Sequence, residues 1–205
     1  MGLYQVTIAI TVGIFMMLAM GLNIITGYTG QVSLGHAAFF GIGAYTSALL
    51  SVKAGVSFWL ALPAAAIVTA AIGAILGAIS TRLHDDSLAI TTIGINFVVV
   101  SVFQYTQFFG GALGVGGIEY PSVLGHALTK PEYLVVVVVC VLLGIWFDRR
   151  LVRSWLGLAL RAVGQNEEAA ESLGIPSARF KIAAFAIGTA YAGVAGSLYA
   201  HFMTF

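Results

Sequence analysis

Glu132-Tyr-Leu-Val-Val-Val-Val-Val-Cys-Val-Leu-Leu-Gly-Ile-Trp-Phe-Asp148 decides the fold of this chain, because it runs straight into Arg149-Arg150. Between its two end carboxylates the stretch holds no charge. Its length approaches the ~20 mostly apolar residues with which an α-helix crosses a bilayer. The arginines behind it mark the cytoplasmic side, where Lys and Arg accumulate. Working outward, further apolar runs cover residues 4–26, 33–52, 57–80, 88–109 and 182–205. About six transmembrane or re-entrant helices are therefore expected, in an all-α, polytopic integral membrane protein forming a single transmembrane domain over 1–205. Composition agrees: 60% of the 205 residues are hydrophobic and only 8% charged, against about 25% charged in a soluble domain.

The same composition excludes several functions. A net charge of +1 provides no basic face for nucleic acid. Cys140 stands alone in an apolar run, so it forms no internal disulfide. Met1 to Gln5 lack the basic residues of a signal peptide, and the run after them reads as a permanent span. Ionisable groups are nearly absent from the spans, which opposes a proton relay. No HExxH is present, and His84, Asp85 and Asp86 read as a solvated turn rather than a metal site. Gly110-Gly-Ala-Leu-Gly-Val-Gly-Gly117 lacks the GK[ST] ending of a phosphate-binding loop and follows no strand. It reads as an outer loop.

The loop at 149–181 carries Arg149, Arg150, Arg153, Arg161, Arg179 and Lys181, six of the nine basic residues. Arg82 falls on the same inner side, while Lys53 and Lys130 fall outside. That alternation puts Met1 outside. An upstream helix, or a second span that does not fully cross, is the expectation that follows. Small residues recur at helix-packing intervals, as Gly73 with Gly77 and as Gly188, Ala192 and Gly196. Such spacing lets helices touch closely in lipid.

Two stretches draw functional attention. In the inner loop, Asn166 is placed to N-cap a short helix, and Glu167 and Glu168 occupy its dipole-favoured first turn. Gly174 ends it, and Pro176 prevents continuation. Two turns are too short to be stable alone, so the helix wants a partner surface, with Ala169, Ala170 and Leu173 as its close-fitting face. The alternative is a segment lying on the membrane or on its own bundle. The second stretch, Gly27 to Tyr45, has glycines at 27, 30, 35, 41 and 43 among Gln31, Ser33 and His36. This predicts a discontinuous helix that aims free backbone groups at a solute near the midplane. Gly30, Gln31, Ser33, Gly35, His36 and Gly41 are the candidate path residues, with His36 alternatively a satisfied interhelical group.

Gly21-Leu-Asn-Ile-Ile-Thr-Gly-Tyr-Thr-Gly-Gln-Val-Ser-Leu-Gly-His-Ala-Ala-Phe-Phe-Gly-Ile-Gly-Ala-Tyr45 resembles the permeases of branched-chain amino-acid ABC importers, nearest the M-type member of the permease pair. Leu88 to Gly94, Leu158 to Ile175 and Ala192 to Ala200 are similar to later segments of that family, in the same order. Asn96 stands where the family often has an acidic residue. The resemblance implies a transporter subunit, not an enzyme. It implies a second permease paralogue, two ABC ATPase subunits and a periplasmic solute-binding protein as partners. ATP and Mg would sit on the ATPases, leaving this chain without a cofactor of its own. It places the protein in a bacterial or archaeal plasma (inner) membrane. It assigns ATPase coupling to Glu167, Glu168, Ala169, Ala170, Leu173 and Gly174. Leucine, isoleucine and valine are the implied substrates; urea, short amides or other amino acids are alternatives, as is a non-transporting remnant. Family members have a further span before the matched residues and several after, so truncation at both ends is the expectation.

Overall fold

The computed structural model describes residues 2–81, 85–123 and 126–205. Helix α1 (Leu3–Leu22) continues as a π-helical segment, Asn23–Tyr28. An irregular stretch over 29–35 leads into α2 (His36–Ala54), which ends on Gly55 in the left-handed conformation (φ +62°). Helices α3 (Phe58–Ser80) and α4 (Asp85–Tyr105) follow. Arg82 and His84 of the expected inner turn lie outside the described residues. The segment between α4 and the next long helix then contributes two single-turn 3₁₀ helices and a minimal hairpin pairing Ser122–Val123 with His126–Ala127. Helix α5 (Lys130–Val152) opens on a capping box in which Thr129 and Glu132 satisfy each other. The inner loop folds as α6 (Trp155–Gln165) and α7 (Glu167–Ser172), and α8 (Ser177–Met203) closes the chain.

Among the described residues, five helical segments are long and apolar enough to cross a membrane: Leu3–Tyr28, His36–Ala54, Phe58–Ser80, Ser87–Tyr105 and Ser177–Met203. Helix α5 matches them in length at 23 residues and is uncharged from Tyr133 to Phe147. Each expected span thus corresponds to one long helix. The second span is long enough to cross as one helix. Helix α2 is unbroken for 19 residues, about 28 Å at 1.5 Å per residue.

Helix α8 is the axis, packed by α3, α2 and α1. The small residues make this possible. Gly21 of α1 meets Gly188, Gly43 of α2 meets Gly193, and the Phe40 carbonyl lies against Gly196. Gly73 and Gly77 of α3 accept Thr189 and Phe185. A Cβ at any of these contacts would strike backbone or a β-carbon, which is why the backbones approach so closely. Helix α5 lies along α1 and is tied to α8 at two heights. The Tyr133 hydroxyl donates to the Leu198 carbonyl (2.7 Å), and the Tyr191 hydroxyl to the Gly144 carbonyl (2.8 Å). Towards the C-terminal end of α8, His201 bonds Ser51 (3.1 Å), and Ser47 bonds Ser197 (2.8 Å), joining α2 to α8.

Candidate functional site

The short helix α7 has the ends that its sequence predicts. The Asn166 side-chain oxygen accepts from the Ala169 amide at 2.9 Å, satisfying one orphan N–H of the first turn. Gly174 takes φ +83°, and the Ile175 amide then reaches back to the Ala170 carbonyl at 3.0 Å, a glycine-terminated stop. The Lys181 ammonium of α8 binds Glu167 at 2.6 Å. At the other end, the Ser177 hydroxyl donates to the Glu171 carboxylate. Burial alone pushes the Glu167 carboxyl up, but the hydrogen bond and charge of Lys181 outweigh it and hold it below the usual carboxylate value. Both ends of α7 are therefore clamped to the first turns of α8.

Ala170 is only 3% exposed and packs into the chain's own core. It does not share an outward face with Ala169 and Leu173, as the sequence suggested. The reason is angular. Positions 169 and 173, four residues apart, stay on the solvent side, while 170, about 100° round from 169 and at the edge of that stripe, turns into the core. The residues left to solvent are Glu168, Ala169, Glu171, Ser172, Leu173 and Gly174, with Leu173 81% exposed.

The glycine-rich break exists and precedes α2. It occupies residues 29–35 at the end of the bundle that carries α6 and α7, where Gly30 (φ +70°) lies against Gly164 at the end of α6. Gly41 and Gly43 sit inside α2 and serve close packing instead, Gly41 beside the Phe103 ring and Gly43 beside Gly193. Gln31, 2% exposed, is the hub of the break. Its amide donates to Thr29 (2.8 Å) and to the Lys181 carbonyl (3.4 Å), and its oxygen accepts from Ser80 (3.2 Å). The Leu34 amide donates to the Thr92 hydroxyl (3.0 Å), and Gly35 fits against the Thr92 carbonyl. The break thus gathers the C-terminal ends of α3 and α6, the start of α8 and the Thr92 turn of α4.

Two of its residues are unpaired. The Ser33 hydroxyl and both ring nitrogens of His36 are buried without a hydrogen-bond partner among the described residues. The Leu18 backbone of α1 faces the His36 ring. Its Nε2 lies so close to Gly21 that a Cβ there would stand 3.1 Å away. A polar hollow of about 210 Å³ connects the break to α7, lined by Thr29, Gly30, Gly164, Asn166, Glu167 and Lys181 among others. The structure brings Gly30, Gln31, Ser33, Gly35 and His36 together and leaves Gly41 apart. Lys181, Ser80, Thr92 and Gly164 belong to the same site. No local signal marks them, since their partners lie 49 to 150 residues away along the chain.

A bundle of helices long and apolar enough to cross a bilayer, with one loop clamped onto its axial helix, defines a multi-pass membrane protein. Residues 4–205 match the family described as branched-chain amino acid transport system / permease component, and the chain belongs to that family. It is 35% identical to the high-affinity branched-chain amino acid transport system permease protein LivM of Salmonella typhimurium, over 96% of this chain and 52% of that protein. The protein of the same name in Escherichia coli K12 is also 35% identical, over 95% of this chain and 52% of its own length. A putative glucose ABC transporter permease of Haloferax volcanii is 31% identical, over 90% of this chain and 51% of that protein. The chain spans about half the length of the curated relatives it matches. No solved structure matches it.

Proposed function

We propose that this chain is the membrane-spanning part of a permease in an ATP-driven importer of leucine, isoleucine and valine, and that α7 is the element that docks on the ATPase. The observation that carries this reading is the clamp of α7 on α8. A six-residue helix that is anchored at both ends, yet exposes Ala169 and Leu173, is built to take load from a partner and pass it inward. The substrate assignment follows the names of the two 35% relatives.

The assembly holds two ABC ATPases, which bind ATP and Mg, a second permease paralogue and a periplasmic solute-binding protein, in a bacterial or archaeal plasma membrane. Closure of the ATPases displaces α7. Lys181 and Ala170 transmit the displacement to α8, and α8 shifts against α1, α2 and α3. Gln31 joins the Lys181 carbonyl to Ser80, so the break moves with α8. Ser33 and His36 offer unspent hydrogen bonds beside the solute path. The solute drives the cycle only where it binds the two arrangements with different affinity.

The test is co-purification from native membranes together with uptake of labelled leucine. Leu173→Asp alters an exposed side chain, so the variant inserts normally, loses the ATPase and loses uptake. ATPase capture and uptake equal to the unsubstituted protein would refute the docking role. Competition by valine but not glucose supports the substrate assignment; competition by glucose alone would overturn it.

A further inference from the structure

An apolar groove of about 460 Å³ runs between α3 and α5, walled by Leu62 and Ala66 on one side and Leu143 and Phe147 on the other, with Tyr191 and Val194 of α8 also lining it. The Tyr191 hydroxyl is already bonded to the Gly144 carbonyl. An amino-acid zwitterion would find no partner here for its carboxylate or ammonium, whereas hydrocarbon fits every wall. The cytoplasmic mouth has the opposite character. Leu143, Phe147 and Arg150 follow at spacings of four and three and share one face of α5. Arg150 therefore stands one turn below the groove, flanked by Arg149 and Arg153. All three are exposed, and no carboxylate pairs with them among the described residues. Trp146, 64% exposed, lines the groove just above them, at the depth where tryptophan marks a membrane interface.

We propose that this groove binds an anionic phospholipid of the surrounding bilayer, one acyl chain lying along α5 and the headgroup phosphate held by Arg150 with Arg149 and Arg153. Guanidinium groups match phosphate oxygens in pairs. Three positive charges with no carboxylate partner among the described residues, at the end of a hydrocarbon slot, select an anionic headgroup over a zwitterionic one. The site is independent of the docking role of α7 and stands whether or not that role does.

Trp146 reports on the site directly. The chain has three tryptophans, so Trp59→Phe with Trp155→Phe leaves Trp146 as the sole emitter. The protein is placed in nanodiscs containing increasing fractions of dibrominated phosphatidylglycerol or dibrominated phosphatidylcholine, and quenching is followed. Phosphatidylglycerol is expected to quench at several-fold lower mole fraction. Its advantage should fall by about fivefold per arginine converted to Gln at 149, 150 and 153, and also with added salt. Quenching by phosphatidylcholine should stay unchanged in those variants, showing that the fold and groove are intact. Equal quenching by the two lipids in the parent protein overturns the proposal, as does a phosphatidylglycerol preference that survives the substitutions. Protection of Trp146 from both lipids also overturns it, because a protein helix then fills the groove.

Discussion

Lys181 binds Glu167 through its ammonium at 2.6 Å while its own backbone carbonyl accepts from the Gln31 side chain at 3.4 Å. One residue at the start of the axial helix therefore touches both the exposed helix α7 and the buried break at 29–35. Motion of α7 cannot leave Lys181 in place without breaking the ion pair, and motion of Lys181 pulls on Gln31.

Lys181→Met should release α7 from α8 and leave the bundle folded. The pair is partly exposed, so its worth is at most about 1 kcal/mol and is screened by salt. Hydrogen exchange of the amides at 169–174 should accelerate several-fold, with little change in exchange across α8. Unchanged exchange at 169–174 would show that Ala170 and Ser177 alone hold the helix.

The same clamp has a pH signature. The folded-state Glu167 carboxyl sits below its ordinary value, so its contribution is complete above the usual carboxylate range, about 4.3. It disappears as pH falls through the lowered folded value. Protection of α7 should be flat from pH 8 to pH 5 and drop below about pH 4. In Glu167→Gln the drop attributable to this group should be missing.

Asn166→Ala removes the acceptor that caps the Ala169 amide, a loss of about 1 kcal/mol. A six-residue helix has few other bonds to share that loss. Limited proteolysis should cut within 166–174 faster in this variant, and Asn166→Asp should restore resistance.

His36 is buried with no well-formed hydrogen bond to either nitrogen, the Leu18 backbone being its nearest partner; a buried polar group left unsatisfied costs about 1–3 kcal/mol. Substitution by Met should leave the melting temperature of the purified protein unchanged or raise it, while leucine uptake falls. A lower melting temperature with uptake intact would make His36 a purely structural group.

Close packing gives a harder test of the fold. A Cβ at Gly193 would collide with the Thr69 side chain and approach the Ala65 carbonyl, whereas one at Gly94 meets nothing within 4 Å. Gly193→Val should cost about 3 kcal/mol or more and abolish recovery of folded protein. Gly94→Ala should be neutral or slightly stabilising, since glycine weakens a helix by about 0.5–1 kcal/mol relative to alanine.

The long helices were legible because lipid leaves few choices: an apolar run of about 20 residues has to close its own hydrogen bonds as a helix. The ends of α7 were legible because Asn166 and Gly174 act locally, through a cap and a left-handed turn. The position of the break was not. Gly30 and Gly43 are the same residue in the same glycine-rich stretch, yet one supplies a positive φ and the other a flat surface for Gly193. Only the neighbouring helix distinguishes the two uses. The inward turn of Ala170 was hidden for a similar reason, because alanine suits a docking face and a tight core equally. Lys181 read as one more cytoplasmic cation, and its two contacts became visible only once α8 was placed beside α7 and α3.

The most direct measurement of the docking role is photo-crosslinking in native membranes with a benzoylphenylalanine at 173, compared with the same probe at 113. Leu173 and Leu113 are similarly exposed, at 81% and 86%, but lie at opposite ends of the bundle. Crosslinking to an ABC ATPase from position 173, altered by ATP and absent from position 113, is the predicted result. Uptake-competent membranes in which position 173 never reaches an ATPase would contradict it.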